Sequence, residues 1–257
     1  MKWDVVRKIT SNMQKGGALL DDCRRVVEAW DPTFTPEENL ARIADENLLG
    51  KASRSRTEDV LSRIIVPRLV QPGPHVIPAL KALVLEPRSF VEACYYEAAR
   101  DDHLLALFAE DRLWHWWQEG RVGVSIGDVT EWLAALAEAG YAPEWSDAVR
   151  TKTARGLLAA LRDFGVLRGG AHKEIAPPNM TPRGFAYVAW REHEQGASSR
   201  ALVASRVWRR WLLDSDRVLD LFSQAARLGI LQFSSAGSAV RIDWLVTSLQ
   251  EVTGAAA

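Results

Sequence analysis

The residues able to do chemistry in this chain are its cations. Lys152, Arg155 and Arg162 recur in TKTARGLLAALRD at intervals of three and seven, which brings them onto one face of a helix. Arg150 stands just ahead of them, and Lys173 follows in a separate short segment. Lys51, Arg54, Arg56 and Arg63 form a second group, with Arg56 and Arg63 one heptad apart. A third group, Arg206, Arg209 and Arg210, crowds one side of SRVWRRWLLD beside its tryptophans. The chemistry open to such groups is phosphate contact, since ammonium and guanidinium heads bind phosphate oxygens and guanidinium does so two-pronged. The plain alternative is a solvated helix face, or arginine stems covering an apolar seam.

Catalytic chemistry has no comparable footing. The five histidines, His75, His103, His115, His172 and His193, are scattered and make neither HxxxH nor HExxH, so no metal-ligand set is read. Asp111 and His115 stand one helical turn apart, the spacing of an ordinary surface hydrogen bond. Neither GxxxxGK[ST] nor GxGxxG occurs, and Pro177-Pro178-Asn179 lacks the strand and glycine-rich turn that an adenine methyltransferase places before such residues. The sequence predicts no catalytic residue, no metal, no cofactor and no small-molecule substrate.

The elements that must position the cations are helices. Ser146 is placed to cap one in which Ala154, Leu157, Leu158, Leu161 and Phe164 form a buried face, with Gly165 as its stop. Residues 166–168 and 172–176 can then pair as a hairpin across Gly169-Gly170. Residues 126–139, with Val129, Trp132, Leu133 and Leu136 inward, supply a preceding helix. A basic helix followed by a lysine-bearing ribbon reads as a winged helix, the helix in a major groove and the wing along the backbone.

Upstream, residues 17–30 form an amphipathic helix, and Thr35-Pro36 opens a second with Leu40, Ile43 and Ala44 inward. Ser53 opens a third with Val60, Leu61, Ile64 and Ile65 inward, which repeats helix-turn-helix spacing beneath the second basic group. QPGPHVIP, residues 71–78, predicts a corner. Helices follow from Pro87 and from Asp101-Asp102, the latter running into Trp114-His115-Trp116-Trp117 and ending at Glu119-Gly120. Three tryptophans within one turn cannot all face one way, so they predict packing between domains rather than a base-stacking platform. Beyond the wing, Thr181-Pro182 and Ser198-Ser199 open further helices, the second with Ala204, Trp208 and Trp211 on its apolar side. A helix over 214–228 and a second hairpin with Arg241 as its one basic residue echo the wing, and this hairpin is expected to be structural. The tail GAAA is expected to be loose. The fold class is mainly α, a helical bundle with helix-turn-helix and winged-helix-like units and one or two short β-hairpin wings, divided as residues 1–120 and 121–257.

Composition narrows the partners. With 47% apolar and 25% charged residues the 257-residue chain is an ordinary globular protein, and a net charge of −1 makes any nucleic-acid surface a local one. Cys23 and Cys94 both fall in helical apolar patterns and are expected as buried thiols rather than a disulfide. Eleven tryptophans predict large helix-packing seams. No apolar run is long enough for a membrane span and MKWDVVRK has no signal-peptide core, so the expected location is cytoplasmic.

The order of motifs resembles the BrxA family, a small helical component of bacterial BREX phage-defence systems. The resemblance rests on KGGALLDDCRRVVEAW, on ENLLGKASRSRTEDVLSRI with RL shortly after, and on TKTARGLLAALRDFGVL followed by the EIAPP loop and Phe185-Ala186-Tyr187. It runs from about Lys15 to Arg191, leaving the last segment unmatched. It implies a helical, non-catalytic protein with double-stranded DNA binding, likened in fold to the NusB antitermination factors, and other BREX proteins as partners.

Two readings stand at this point. In one, Lys51, Arg54, Arg56, Arg63, Arg150, Lys152, Arg155, Arg162 and Lys173 contact duplex phosphates, with Arg206, Arg209 and Arg210 as a secondary DNA or partner surface. No Asn or Gln leads either candidate helix, so sequence preference is expected to be weak. In the other, winged helices and tryptophan seams dock onto larger defence proteins without touching DNA. RNA binding, which the NusB likeness allows, lacks a stacking platform.

Overall fold

The computed structural model describes residues 9–254 except Ser238, and for Lys15 and Gly16 the backbone alone. MKWDVVRK and the three terminal alanines lie outside these residues. After the short helix α1 (Met13–Gly16), α2 (Leu20–Ala29) buries Cys23, Val26 and Val27. α3 (Pro36–Asp45) starts at a capping box in which Thr35 and Glu38 satisfy each other's backbone N–H groups, with Pro36 where no donor is needed. α4 (Arg54–Val60) is capped by Ser53 and continues as a π-helical stretch, Leu61–Val70, containing Pro67.

The predicted corner at 71–78 is shorter than expected, because α5 (Val76–Leu83) begins inside it. Pro78 falls in the first turn of that helix, where a missing N–H breaks no helical hydrogen bond. α6 (Pro87–Asp101) follows, then α7 (His103–Leu107), capped by Asp102, which passes through a π-helical stretch, Phe108–Leu113, into α8 (Trp114–Gln118). Strand β1 (Gly123–Val124) precedes α9 (Ile126–Glu138), whose capping box is Ser125 and Asp128. α10 (Asp147–Asp163), β2 (Leu167–Arg168) and β3 (Lys173–Ile175) come next, then α11 (Pro182–Glu194), capped by Thr181.

The helix expected through SRVWRRWLLD is instead broken. α12 (Ser199–Val203) stops at Ala204, which is exposed, and a 3-10 turn, Arg206–Trp211, takes over with Val207, Trp208 and Trp211 buried. Ser205 at the break donates its hydroxyl to the Glu192 carboxylate at 3.3 Å. α13 (Ser215–Arg227), β4 (Leu231–Ala236), β5 (Ala239–Trp244) and α14 (Leu249–Thr253) complete the chain.

The chain divides into two compact units, each assembled from separated segments. One comprises the chain through Leu19, Ala98–Pro178 and Arg206–Leu212; the other comprises Leu20–Glu97, Asn179–Ser205 and the chain from Leu213. In the first, Phe108 packs edge-on against Trp116 and Trp132, with centroids 5.8 and 4.9 Å away. Trp116 is buried there, whereas Trp114 and Trp117 lean on each other at 5.1 Å and are half-buried, so the three rings do part company. The sheet has the antiparallel order β1-β3-β2, with Val124 opposite Lys173 and Leu167 opposite Ile175.

The second unit has a polar spine inside its apolar core. Glu97 is fully buried and accepts from Tyr187 Oη and Arg191 Nε, both at 2.9 Å. Glu92 accepts from the backbone N–H and hydroxyl of Thr181, the cap of α11. Phe185 meets Phe222 edge-on at 4.7 Å, and Phe222 stacks on Phe233 of the β4-β5 hairpin. Both cysteines are buried free thiols.

Candidate nucleic-acid interface

α10 is held by its apolar face and leaves the other free. Ala154, Leu157, Leu158 and Leu161 are all at most 3% exposed, as their spacing requires. Asp147 in the first turn and Arg162 in the last suit the helix dipole. Gly156 admits α1, since a Cβ there would lie 2.2 Å from the Met13 carbonyl oxygen. Beside that contact Lys152, Arg155 and Arg162 share the outward face. Lys152 and Arg155 are exposed, and among the described residues neither has an ion-pair partner. Arg162 is tied to its neighbour Asp163 at 2.6 Å, and Arg150 to Asp147 one turn back.

The hairpin forms where expected, but Lys173 does not face outward. It is 9% exposed, and its ammonium donates to the carbonyls of Gly169, at 3.0 Å, and Gly170. The two-residue period explains this, because Lys173 and Ile175 share the inner face of β3. Lys173 therefore satisfies the carbonyls of its own turn, and a phosphate cannot reach its ammonium without undoing them. The cation that the sequence reading missed is Arg168, whose side chain is 71% exposed and pairs across the hairpin with Glu174 at 2.8 Å. The tip from Gly169 to His172 is exposed.

In the second unit the other basic group meets carboxylates at every position. Lys51 pairs with the nearly buried Asp22 at 2.7 Å, Arg54 with Asp45 and Glu58 at 2.8 Å, Arg56 with Asp59 at 3.0 Å, and Arg63 with the same Asp59. Asp22 and Asp45 come from α2 and α3, so they escaped a charge count along α4. The arginines of the 3-10 turn, in the first unit, are engaged as well. Arg210 is held by Glu110 at 2.7 Å, Arg206 reaches Asp111 at 3.6 Å, and the guanidinium of Arg209 lies 5.5 Å from the Trp114 ring centre.

No group of three or more metal-ligating side chains gathers among the described residues. No described helix is long and apolar enough to cross a membrane. Among the described residues of the second unit, one surface cleft of about 390 Å³ lies between Pro87, Arg88, Pro182, Arg183 and Leu228, and another of about 410 Å³ lies around Trp30, Arg42 and Lys81. Arg183 in the first is already paired with Glu86, and Arg42 and Lys81 in the second already donate to the carbonyls of Ala29 and Trp30.

Helices joined by two small sets of antiparallel strands define a mainly α-helical protein with short β wings. The BrxA family model matches residues 8–192, and the chain belongs to the BrxA family. It is thus a BREX-associated protein. The match stops short of α12, so the second hairpin lies beyond it. Among solved structures, an uncharacterized protein from Magnetospirillum magneticum is similar over 79% of this chain and 98% of its own, at a TM-score of 0.58 and 16% identity, a likeness of fold. No curated protein matches.

Proposed function

We propose that the chain is a non-catalytic accessory protein of a BREX-type defence system that binds double-stranded DNA through the first unit, with low sequence specificity. The observation that carries this is the outward pair Lys152 and Arg155, exposed without a carboxylate partner among the described residues, on a helix followed directly by a hairpin. The order α9, α10, β2, β3, with β1 pairing to β3, suits a winged helix-turn-helix, in which α10 enters a major groove and the wing follows a strand. Arg162 and Arg168 can add phosphate contacts by exchanging an exposed carboxylate for a phosphate, which costs little at a surface. Lys51, Arg54, Arg56 and Arg63 are a weaker duplex surface, because phosphate must displace two or more carboxylates there. Between two and four contacts correspond to a binding constant falling with salt at a log–log slope of about 2 to 4.

The experiment is fluorescence anisotropy of a labelled random-sequence duplex across a salt series. Wild type is compared with Lys152→Glu/Arg155→Glu and with Arg56→Glu/Arg63→Glu. Salt-dependent binding lost in the first variant and largely kept in the second is expected. A folded wild type that does not bind at low salt removes the reading.

The runner-up is docking onto larger BREX proteins without DNA contact, favoured by the second helix–hairpin unit. On its helix α13 Arg217 is paired with Asp220, and Arg241 on its hairpin is paired with Asp243, so these two arginines are already engaged by carboxylates. Co-purification with BREX proteins after nuclease treatment, unaffected by the α10 variant, is the result that would favour it.

A further inference from the structure

The starts of α6 and α11 border a surface cleft in the second unit that has an apolar floor. Pro87 and Pro182, each the first residue of its helix, line it together with Leu228 at the end of α13. Leu228 is 47% exposed there, and Leu85, just ahead of the cleft residue Glu86, is 91% exposed. Apolar side chains left open beside charged ones mark a binding surface, because a partner gains by covering them. The rim is cationic. Arg183 and Glu86 offset each other at 3.0 Å, and Glu86 also accepts from the Ser89 hydroxyl at 3.0 Å. Arg88 is exposed and donates to the Asn179 carbonyl, with no carboxylate in ion-pair reach among the described residues. Arg227, next to Leu228, is exposed and likewise without such a partner among them. The walls are fixed before any partner arrives. The hydroxyls of Ser89 and Thr181 are 3.0 Å apart, and Arg217 on α13, itself paired with Asp220, donates to Oδ1 of Asn179 at 2.9 Å. A pre-formed site of this kind loses little conformational freedom on binding.

We propose that this cleft docks an acidic peptide segment of a partner protein. One apolar side chain of the segment seats among Pro87, Pro182 and Leu228, and carboxylates flanking it meet Arg88 and Arg227. A guanidinium matches a carboxylate with two parallel hydrogen bonds, and such pairs at the rim fix the register of the bound segment. The apolar floor supplies the burial that anchors it. That floor also separates an acidic peptide from a nucleic-acid backbone, which brings negative charge but no apolar anchor to set between two prolines and a leucine. The site lies in the second unit and does not depend on α10 binding DNA.

The test selects a random displayed-peptide library on the immobilised full chain, with Leu228→Glu as the counter-selection. The expected result is enrichment of peptides in which Asp or Glu flanks a Leu, Phe or Trp. A synthetic consensus peptide, labelled and read by anisotropy, is expected to bind wild type less tightly as salt rises. It should bind Leu228→Glu and Arg227→Glu about tenfold or more weakly, a loss of about 1.4 kcal/mol or more, and bind Lys152→Glu/Arg155→Glu as it binds wild type. Arg227 is exposed and has no ion pair to lose among the described residues, so its variant decides the matter should Leu228→Glu fail to fold. A selection that enriches nothing over Leu228→Glu overturns the proposal, as do enriched peptides without an acidic bias. Equal affinity of the consensus peptide for wild type and Arg227→Glu overturns it as well. Displacement of the peptide by a random-sequence duplex from the Lys152→Glu/Arg155→Glu chain would make the cleft a nucleic-acid surface instead.

Discussion

The ammonium of Lys173 lies 3.0 Å from the carbonyl oxygen of Gly169, so the lysine at the base of the wing closes the turn at its tip. Its second bond, to Gly170, joins the two glycines that let the chain reverse. A charge-assisted bond of this kind contributes about 1.5–3 kcal/mol, more than a neutral one. Lys173→Met is therefore expected to lower the unfolding free energy in urea by about 2 kcal/mol. The salt slope of duplex binding is expected to stay as in wild type, because this ammonium is already engaged by the two turn carbonyls.

Lys152 and Arg155 lead to the opposite outcome. Both are exposed on a helix whose stability rests on its other face, so removing their charge leaves the fold intact. Lys152→Ala/Arg155→Ala is expected to keep the wild-type urea midpoint while the log–log salt slope falls by about 2, roughly 0.9 for each phosphate lost. Anisotropy at several ionic strengths measures both the weakened affinity and the slope.

What the sequence makes legible is local and periodic. The α10 face could be read because a 3.6-residue period closed by a glycine admits one helix, and all five residues assigned to its core are buried, whereas Ser146 occupies the N-cap position without a side-chain capping bond. The same logic applied with a period of two would have turned Lys173 inward beside Ile175. Counting charges along the chain favoured a DNA surface at Lys51 and Arg54, and what countered it came from Asp22 and Asp45 on other helices. α5 was hidden by Pro78, whose cost vanishes in a first turn. The chain's departure from each unit and its return, including the 3-10 turn that rejoins the first, leave no periodic trace.

Glu97 and Arg191 form a buried ion pair in the second unit, 2.9 Å apart. The carboxylate is fully buried and bound by Arg191 and Tyr187, and the guanidinium continues to Glu194 and to Nε2 of His75. Loss of one partner strands the other in a low-dielectric interior, at a cost of about 3–5 kcal/mol. Arg191→Met is expected to destabilise by that amount in urea. Glu97→Gln/Arg191→Met, which removes both charges, should recover part of it, and the double-mutant cycle gives the coupling.

Glu92 makes stability fall as pH rises. Burial lifts its carboxyl from an ordinary 4.5 to about 7, against the lowering pull of the two Thr181 hydrogen bonds and of Arg88. Between those values the folded chain holds a proton that the unfolded chain has released, so the folded state gains from acid there. The contribution is complete below the unfolded value near 4.5 and is lost as pH passes through about 7. The full difference is on the order of 3 kcal/mol. Glu92→Gln keeps an acceptor for the Thr181 N–H and a donor for its hydroxyl without ever ionising. Chemical denaturation between pH 5 and 8 should show wild type losing stability relative to the glutamine variant, with the difference appearing mainly between pH 5 and 7. Parallel pH profiles for the two proteins would mean that Glu92 titrates in the folded chain as it does in the unfolded one.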